Sequence, residues 1–200
     1  MAHPGCEPRR QPLESNVVWL IALVVLGSEV RSIAPAVGQA ARAAAPIYGV
    51  ELPPGYRDWS LISVARVGGN LNDLRAKLGN DLAIKAYRSG VRPFPDGTVI
   101  ARLAWSQAIS EENNRALAPL LEPRLGADAV QKLMADSFVA GPATNVQFMV
   151  KDSRKYASTG GWGFAQFNEG KPADEAVHKT CFACHEPARD RAFVFTRYAP

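Results

Sequence analysis

Apolar and polar positions alternate with a period of two in several stretches of this chain, and that alternation predicts strands. In "TVIARLAW" Val99, Ala101, Leu103 and Trp105 share one face, while Ile100, Arg102 and Ala104 share the other. In "TNVQFMVKD" Val146, Phe148 and Val150 lie opposite Asn145, Gln147 and Met149. "GWGFAQF" sets Trp162 and Phe164 against Ala165, and the preceding "YASTGG" makes a turn in which Gly160 and Gly161 can take positive φ. A further strand is predicted in "DWSLISVARVGG", alternating Trp59, Leu61 and Ser63 with Ser60, Ile62 and Val64 and ending at a Gly-Gly-Asn turn signal.

Helical signals are shorter. "NDLAIKAYRSG" opens on a cap residue, Asn80 or Asp81, and closes at Gly90. "SEENNRALAPLLEPRLGADAVQKLMADS" is interrupted by Pro119 and Pro123 and restarts near Ala127, which predicts two short helices in an inserted excursion. "PADEAVHKTCFACHE" reads as helix from about Ala173 and stops before Pro187. The sum is an α+β fold: a mainly antiparallel β-sheet with short helices at its ends.

The N-terminus follows a different pattern. Arg9 and Arg10 precede the apolar run "VVWLIALVVLG" (17–27), and a small-residue stretch with A-x-A-like sites near residues 38–43 follows. Eleven residues at about 1.5 Å each fall short of the roughly 30 Å of a bilayer core. Positive region, apolar region and small-residue site, in that order, predict a secretory signal over residues 1–43, with an uncleaved membrane anchor as the alternative. The expected location is the periplasm.

Two hundred residues, 47% of them hydrophobic and 21% charged, are enough for one buried core. The net charge of +4 owes much to Arg9, Arg10, Arg31 and Arg42 in the N-terminal segment. With no basic patch interleaved with aromatics, nucleic acid is excluded as a partner class. Three cysteines, Cys6, Cys181 and Cys184, are too few for a disulfide framework.

The chemistry lies in "HKTCFACHEP" (178–187). Cys181, two residues, Cys184 and His185 form the attachment signature of a c-type haem. Two sulfurs must reach the two vinyl groups of one porphyrin, and the adjacent histidine must come beneath the iron as the proximal ligand. A thioredoxin-like pair would follow a strand in a βαβ unit, and this pair instead ends a C-terminal helix. A zinc site completed by His178 is the remaining competitor. His178, one helical turn before Cys181, reads as a surface or packing histidine.

Beyond the motif, the chain resembles the cytochrome P-460 family, which includes the related cytochromes c′-beta. The likeness runs from about Tyr56 to Pro200 and is carried by "LRAKLGND" (74–81), "FPDGTVIARLAW" (94–105), "VQFMVKDSRKYASTGGWGFAQF" (146–167) and "CFACHEPARDRAFVFTRY" (181–198). The resemblance implies a haem domain over residues 56–200, mainly antiparallel β, with one haem c at an open-ended pocket and a homodimeric state. It places thioether bonds on Cys181 and Cys184 and the axial iron bond on His185. On the distal side it places Arg75 at an arginine position and Gln147 where the family has a carboxylate.

The lysine bonded to the porphyrin edge in the family's enzymes falls on Arg102, which implies a contact to a haem propionate instead. Lys85, the nearest other lysine in these blocks, reads as a helix-surface residue. An amide is no proton-transfer base, and a guanidinium stays protonated and is a poor nucleophile. The function implied is an exported mono-haem cytochrome with an open distal site for nitric oxide or hydroxylamine, as ligand or as substrate of an oxidoreductase. The alternative is a six-coordinate cytochrome that passes electrons to a redox partner protein. For a sixth ligand that reading has Met134, in the excursion, and Met149, beside Gln147.

Overall fold

The structure, a computed structural model, describes residues 43–200. The predicted export segment therefore lies outside the described residues, except for Ala43. Six strands form one antiparallel sheet in chain order: β1 (Ser60–Val67), β2 (Asp73–Gly79), β3 (Val99–Ala108), β4 (Val139–Lys151), β5 (Trp162–Asn168) and β6 (Lys171–Pro172). Neighbouring strands are joined as a meander, and the α+β architecture expected from the sequence is the one observed.

The predicted faces of β3, β4 and β5 are the observed ones. Ala101, Leu103, Val146, Phe148, Ala165 and Phe167 pack together on one side of the sheet. Ala45, Val50 and Tyr56, from the segment before β1, cover that side, with the Tyr56 ring edge-on to Phe148 at 5.2 Å between centroids. The opposite side holds Ile100, Met149, Phe164 and Trp162.

β1 obeys the alternation only in part. A register shift between Leu61 and Ser63 puts both Ile62 and Ser63 out of water, while Leu61 and Val64 are exposed. An inserted residue breaks the period of two, so strict alternation could not describe this strand.

Four α-helices complete the fold among the described residues: α1 (Asp81–Ser89), α2 (Glu111–Leu125), α3 (Ala127–Ala135) and α4 (Glu175–His185). The predicted caps of α1 are both present. The Asn80 side chain accepts from the Ala83 N–H at 3.0 Å, and Gly90 ends the helix at φ 69°. α1 seats Ala83, Ile84, Ala86 and Tyr87 against Phe94 and Trp162, so it closes one end of the core.

The excursion differs from its prediction in one respect. Helix α2 runs through both Pro119 and Pro123, and the break falls at Gly126, whose φ is 81°. Its turns are mostly exposed, so the missing N–H groups leave carbonyls that water can satisfy. Among the described residues no helix is long and apolar enough to cross a membrane.

Candidate functional site

The helix that carries the motif is fastened to the sheet at both ends. Asp174 caps α4 by accepting from the Val177 N–H at 2.9 Å. One turn on, His178 is completely buried. Its Nδ1 lies 2.7 Å from the Asp174 carbonyl, and its Nε2 accepts the Gln166 N–H of β5 at 3.1 Å. A carbonyl can only accept, so Nδ1 carries the proton and the imidazole is held neutral in one tautomer. His178 is thus a packing residue with both nitrogens engaged, and it is not available to complete a zinc site. Among the described residues no three His, Cys, Asp or Glu side chains gather as metal ligands.

The other end of α4 is set by the chain that follows it. A short 3-10 segment, Glu186–Arg191, leads into Ala192 and Phe193, both left-handed at φ 55° and 65°. Non-glycine residues adopt that conformation at a cost, and here it aims two carbonyls inward. The Ala192 carbonyl accepts the Trp162 indole N–H at 2.9 Å, and the Phe193 carbonyl lies 2.8 Å from His185 Nδ1. Nδ1 therefore donates, and Nε2 is the lone-pair nitrogen. Burial pushes the His185 pKa down, partly offset by the Phe193 carbonyl, which favours neutral imidazole. A carbonyl bond of this kind fixes the ring orientation that a metal-binding histidine needs. Next to Gly160 the packing is equally close: a Cβ there would enter the Phe193 ring.

Cys181, Cys184 and His185 line one cavity of about 440 Å³ between α4 and the sheet. Both cysteines are free, Cys181 half-buried and Cys184 exposed. Burial, with the neighbouring Cys184 second, raises the Cys181 pKa and keeps it a thiol. The apolar part of the opposite wall includes Ile100, Met149 and Phe164, with the Phe164 ring 5.1 Å from the His185 ring.

The polar part is a straight row across four strands. Lys77, Arg102, Gln147 and Gln166 are consecutive cross-strand partners, so their side chains rise from the same face. Arg102 Nη1 donates to Gln147 Oε1 at 2.9 Å, and its Nη2 donates to Asn145 Oδ1 at 3.1 Å. Gln147 Nε2 donates to Gln166 Oε1 at 2.6 Å, and Gln166 Nε2 donates to Asn168 Oδ1 at 3.1 Å. Buried Asp73 receives Arg75 Nε at 2.8 Å and Arg75 Nη2 at 3.0 Å, with Arg102 Nη2 3.8 Å away. Burial, and then Arg75, lower the Arg102 pKa to about 10. Its Nε is buried with no hydrogen-bond partner.

All six residues singled out from the sequence, Arg75, Arg102, Gln147, Cys181, Cys184 and His185, line this one cavity. Met149 lines it too. Met134 lies instead in a small cleft between α2 and α3, and Lys85 borders a shallow groove along α1. The structure adds residues that the sequence reading passed over. Asp73 and Lys77 lie on β2, whose polar-apolar alternation in "DLRAKLG" was a legible signal. For the Phe193 carbonyl no sequence signal existed.

The residues suit a haem on their own chemistry. Two thiols and a lone-pair imidazole nitrogen share a cavity with an apolar wall, and a cationic wall stands ready for the carboxylates of a porphyrin edge. No curated protein matches the chain. The sequence profile of Cytochrome P460 matches residues 53–196, the span from just before β1 to the loop beyond His185, and so takes in the whole cavity. The chain belongs to the cytochrome P460 family and is a haem-binding cytochrome.

Proposed function

We propose that the protein holds one haem covalently through Cys181 and Cys184, with His185 Nε2 as the axial nitrogen, and offers the other iron face to a small nitrogen-oxide ligand. The observation that carries this reading is the His185 imidazole. Its Nδ1 is committed to the Phe193 carbonyl at 2.8 Å, which leaves Nε2 as the donor in a cavity shared with both cysteines. Haem bound there would supply an iron centre able to take a diatomic ligand or exchange one electron.

The side chains around it divide the work. His178 ties α4 to β5, and Asp174 caps the helix and holds the His178 ring through its carbonyl. Gln147 spends its oxygen on Arg102 and its nitrogen on Gln166, so it orients the Arg102 guanidinium and has no basic group for proton transfer. Arg75 has two of its donors on Asp73, so it acts on a ligand chiefly through charge. This arrangement favours ligand binding over hydroxylamine oxidation, which needs a proton acceptor. The N-terminal pattern of residues 1–43 supports export, and c-type haem attachment is consistent with maturation outside the cytoplasm.

A second reading has an observation of its own. Met149 lines the same cavity as His185, and a thioether on the iron would make the protein an electron carrier. Ferrous carbon monoxide titration separates the two readings: uptake supports the ligand site, whereas refusal with a thioether-to-iron absorption band supports the carrier. The covalent claim is tested by haem staining of denatured, periplasmically matured protein. Wild type is expected to keep the stain and the Cys181→Ala, Cys184→Ala double variant to lose it. An unstained wild type overturns the reading.

A further inference from the structure

The cavity wall formed by β2 and β3 has more positive charge than its partners neutralise. Asp73, Arg75 and Lys77 alternate onto the cavity face of β2, and Arg102 stands opposite Lys77 on β3. Three cations therefore share one carboxylate. Asp73 has both oxygens on Arg75, and its approach to Arg102 is the longer one, at 3.8 Å.

The neutral amides do not relieve the excess. The oxygens of Gln147 and Asn145 are taken by Arg102, and the Gln166 oxygen is taken by Gln147. Among the donors left over are the buried Arg102 Nε and the Lys77 ammonium, which has no hydrogen bond or ion pair among the described residues. A half-buried wall whose donors outnumber the acceptors on it is incomplete, because unpaired charge shielded from water is costly.

We propose that the Arg75, Lys77 and Arg102 wall is a seat for an anionic oxygen or nitrogen group, with Lys77 as the cation free to receive it. Two sources share that chemistry: a small free anion entering the cavity, and a carboxylate of the bound haem. The direction of the Lys77 pKa agrees with the geometry. Burial lowers it first, then repulsion from Arg75 and Arg102, and Asp73 restores only part. An arriving anion would offset those penalties by its own attraction for the ammonium. The inference rests on the haem reading above and adds to it a preference for charge in what the cavity accepts.

The experiment uses ferric holoprotein, with azide as the anionic probe and imidazole as the neutral one, both followed by absorption. If a free anion takes the seat, Lys77→Met weakens azide by about tenfold or more, the size of one charge-assisted hydrogen bond. Imidazole affinity stays the same, and Lys77→Arg restores azide binding. If a haem carboxylate takes the seat, Lys77→Met leaves azide unchanged but shifts the propionate bending band in the resonance Raman spectrum and lowers the reduction potential. Lys77→Arg again restores wild-type behaviour. Unchanged azide affinity, propionate band and potential in Lys77→Met would overturn the proposal. Equal loss of azide and imidazole affinity would overturn it as well, because that marks a packing effect. Haem content is read in the same samples, so failure of the haem reading shows separately as a wild type without haem.

Discussion

The two faces of the same sheet are built from the same strands and do opposite things. On the face covered by residues 45–56 the inward residues of β2 to β5 are apolar, and Leu78, Leu103, Phe148 and Phe167 pack into one cluster. On the face covered by α4, apolar residues fill only the end near α1. The next row, Lys77 to Gln166, is polar or charged and borders a cavity. A sheet needs just one well-packed face to be stable, since burial and packing there supply most of the free energy. The second face can then hold buried charge, left-handed backbone and an unfilled volume. These are features a protein keeps where it works rather than where it is held together.

That contrast can be broken most directly on the packed face. Phe148, 2% exposed, touches Tyr56 and Phe167, and Phe148→Ala is expected to cost about 3–5 kcal/mol in urea unfolding. The folded fraction should keep the wild-type haem spectrum, because the lost ring packs with Tyr56 and Phe167 on the other face of the sheet. A changed spectrum would show that the faces are coupled through the sheet.

The seam between the faces and α4 is the next test. His178→Leu fills a similar volume but leaves the Gln166 N–H buried without an acceptor, at an expected cost of about 1–3 kcal/mol. Because α4 bears the haem motif, its amide protons should also exchange faster. A variant as stable as wild type would mean that packing alone docks the helix.

The smallest expected effect lies in the charged row, and it is read as a potential rather than a stability. Removing the Arg102 cation by Arg102→Leu should lower the reduction potential, since electron uptake loses a favourable neighbour. The guanidinium stays protonated, so the difference between wild type and Arg102→Leu should be the same at every pH where both are folded. A potential unchanged by the substitution would place Arg102 outside the electrostatic reach of the iron.

Much of this architecture was legible beforehand, for a physical reason that can be named strand by strand. β3, β4 and β5 each have one packed face, so their apolar positions repeat every second residue and state both the element and its inward side. The helix α1 was equally clear, because Asn80 and Gly90 satisfy its end groups by local chemistry that a short sequence contains. The same rule also read past β2. "DLRAKLG" alternates as cleanly as β3, but its charged positions face the cavity, and a polar row resembles a solvent face when no partner is known. β1 failed for another reason: its bulge between Leu61 and Ser63 changes the face partway along.

Within the site the division is the same. Cys181, Cys184 and His185 were legible in the sequence, because the spacing of two thiols and one imidazole is a local property of neighbouring positions. The partners of those residues belong to the tertiary structure alone. Arg75 lies two residues from Asp73, yet its pairing follows from the strand that puts both on one face. Lys77 meets Arg102, and Arg102 meets Gln147 45 positions away, only because the turns between strands set that register. The Phe193 carbonyl reaches His185 only because the chain after α4 folds back in a left-handed conformation. Local spacing can specify which atoms are able to hold a cofactor. The charge and orientation around it come from contacts between distant segments, which no short stretch of sequence contains.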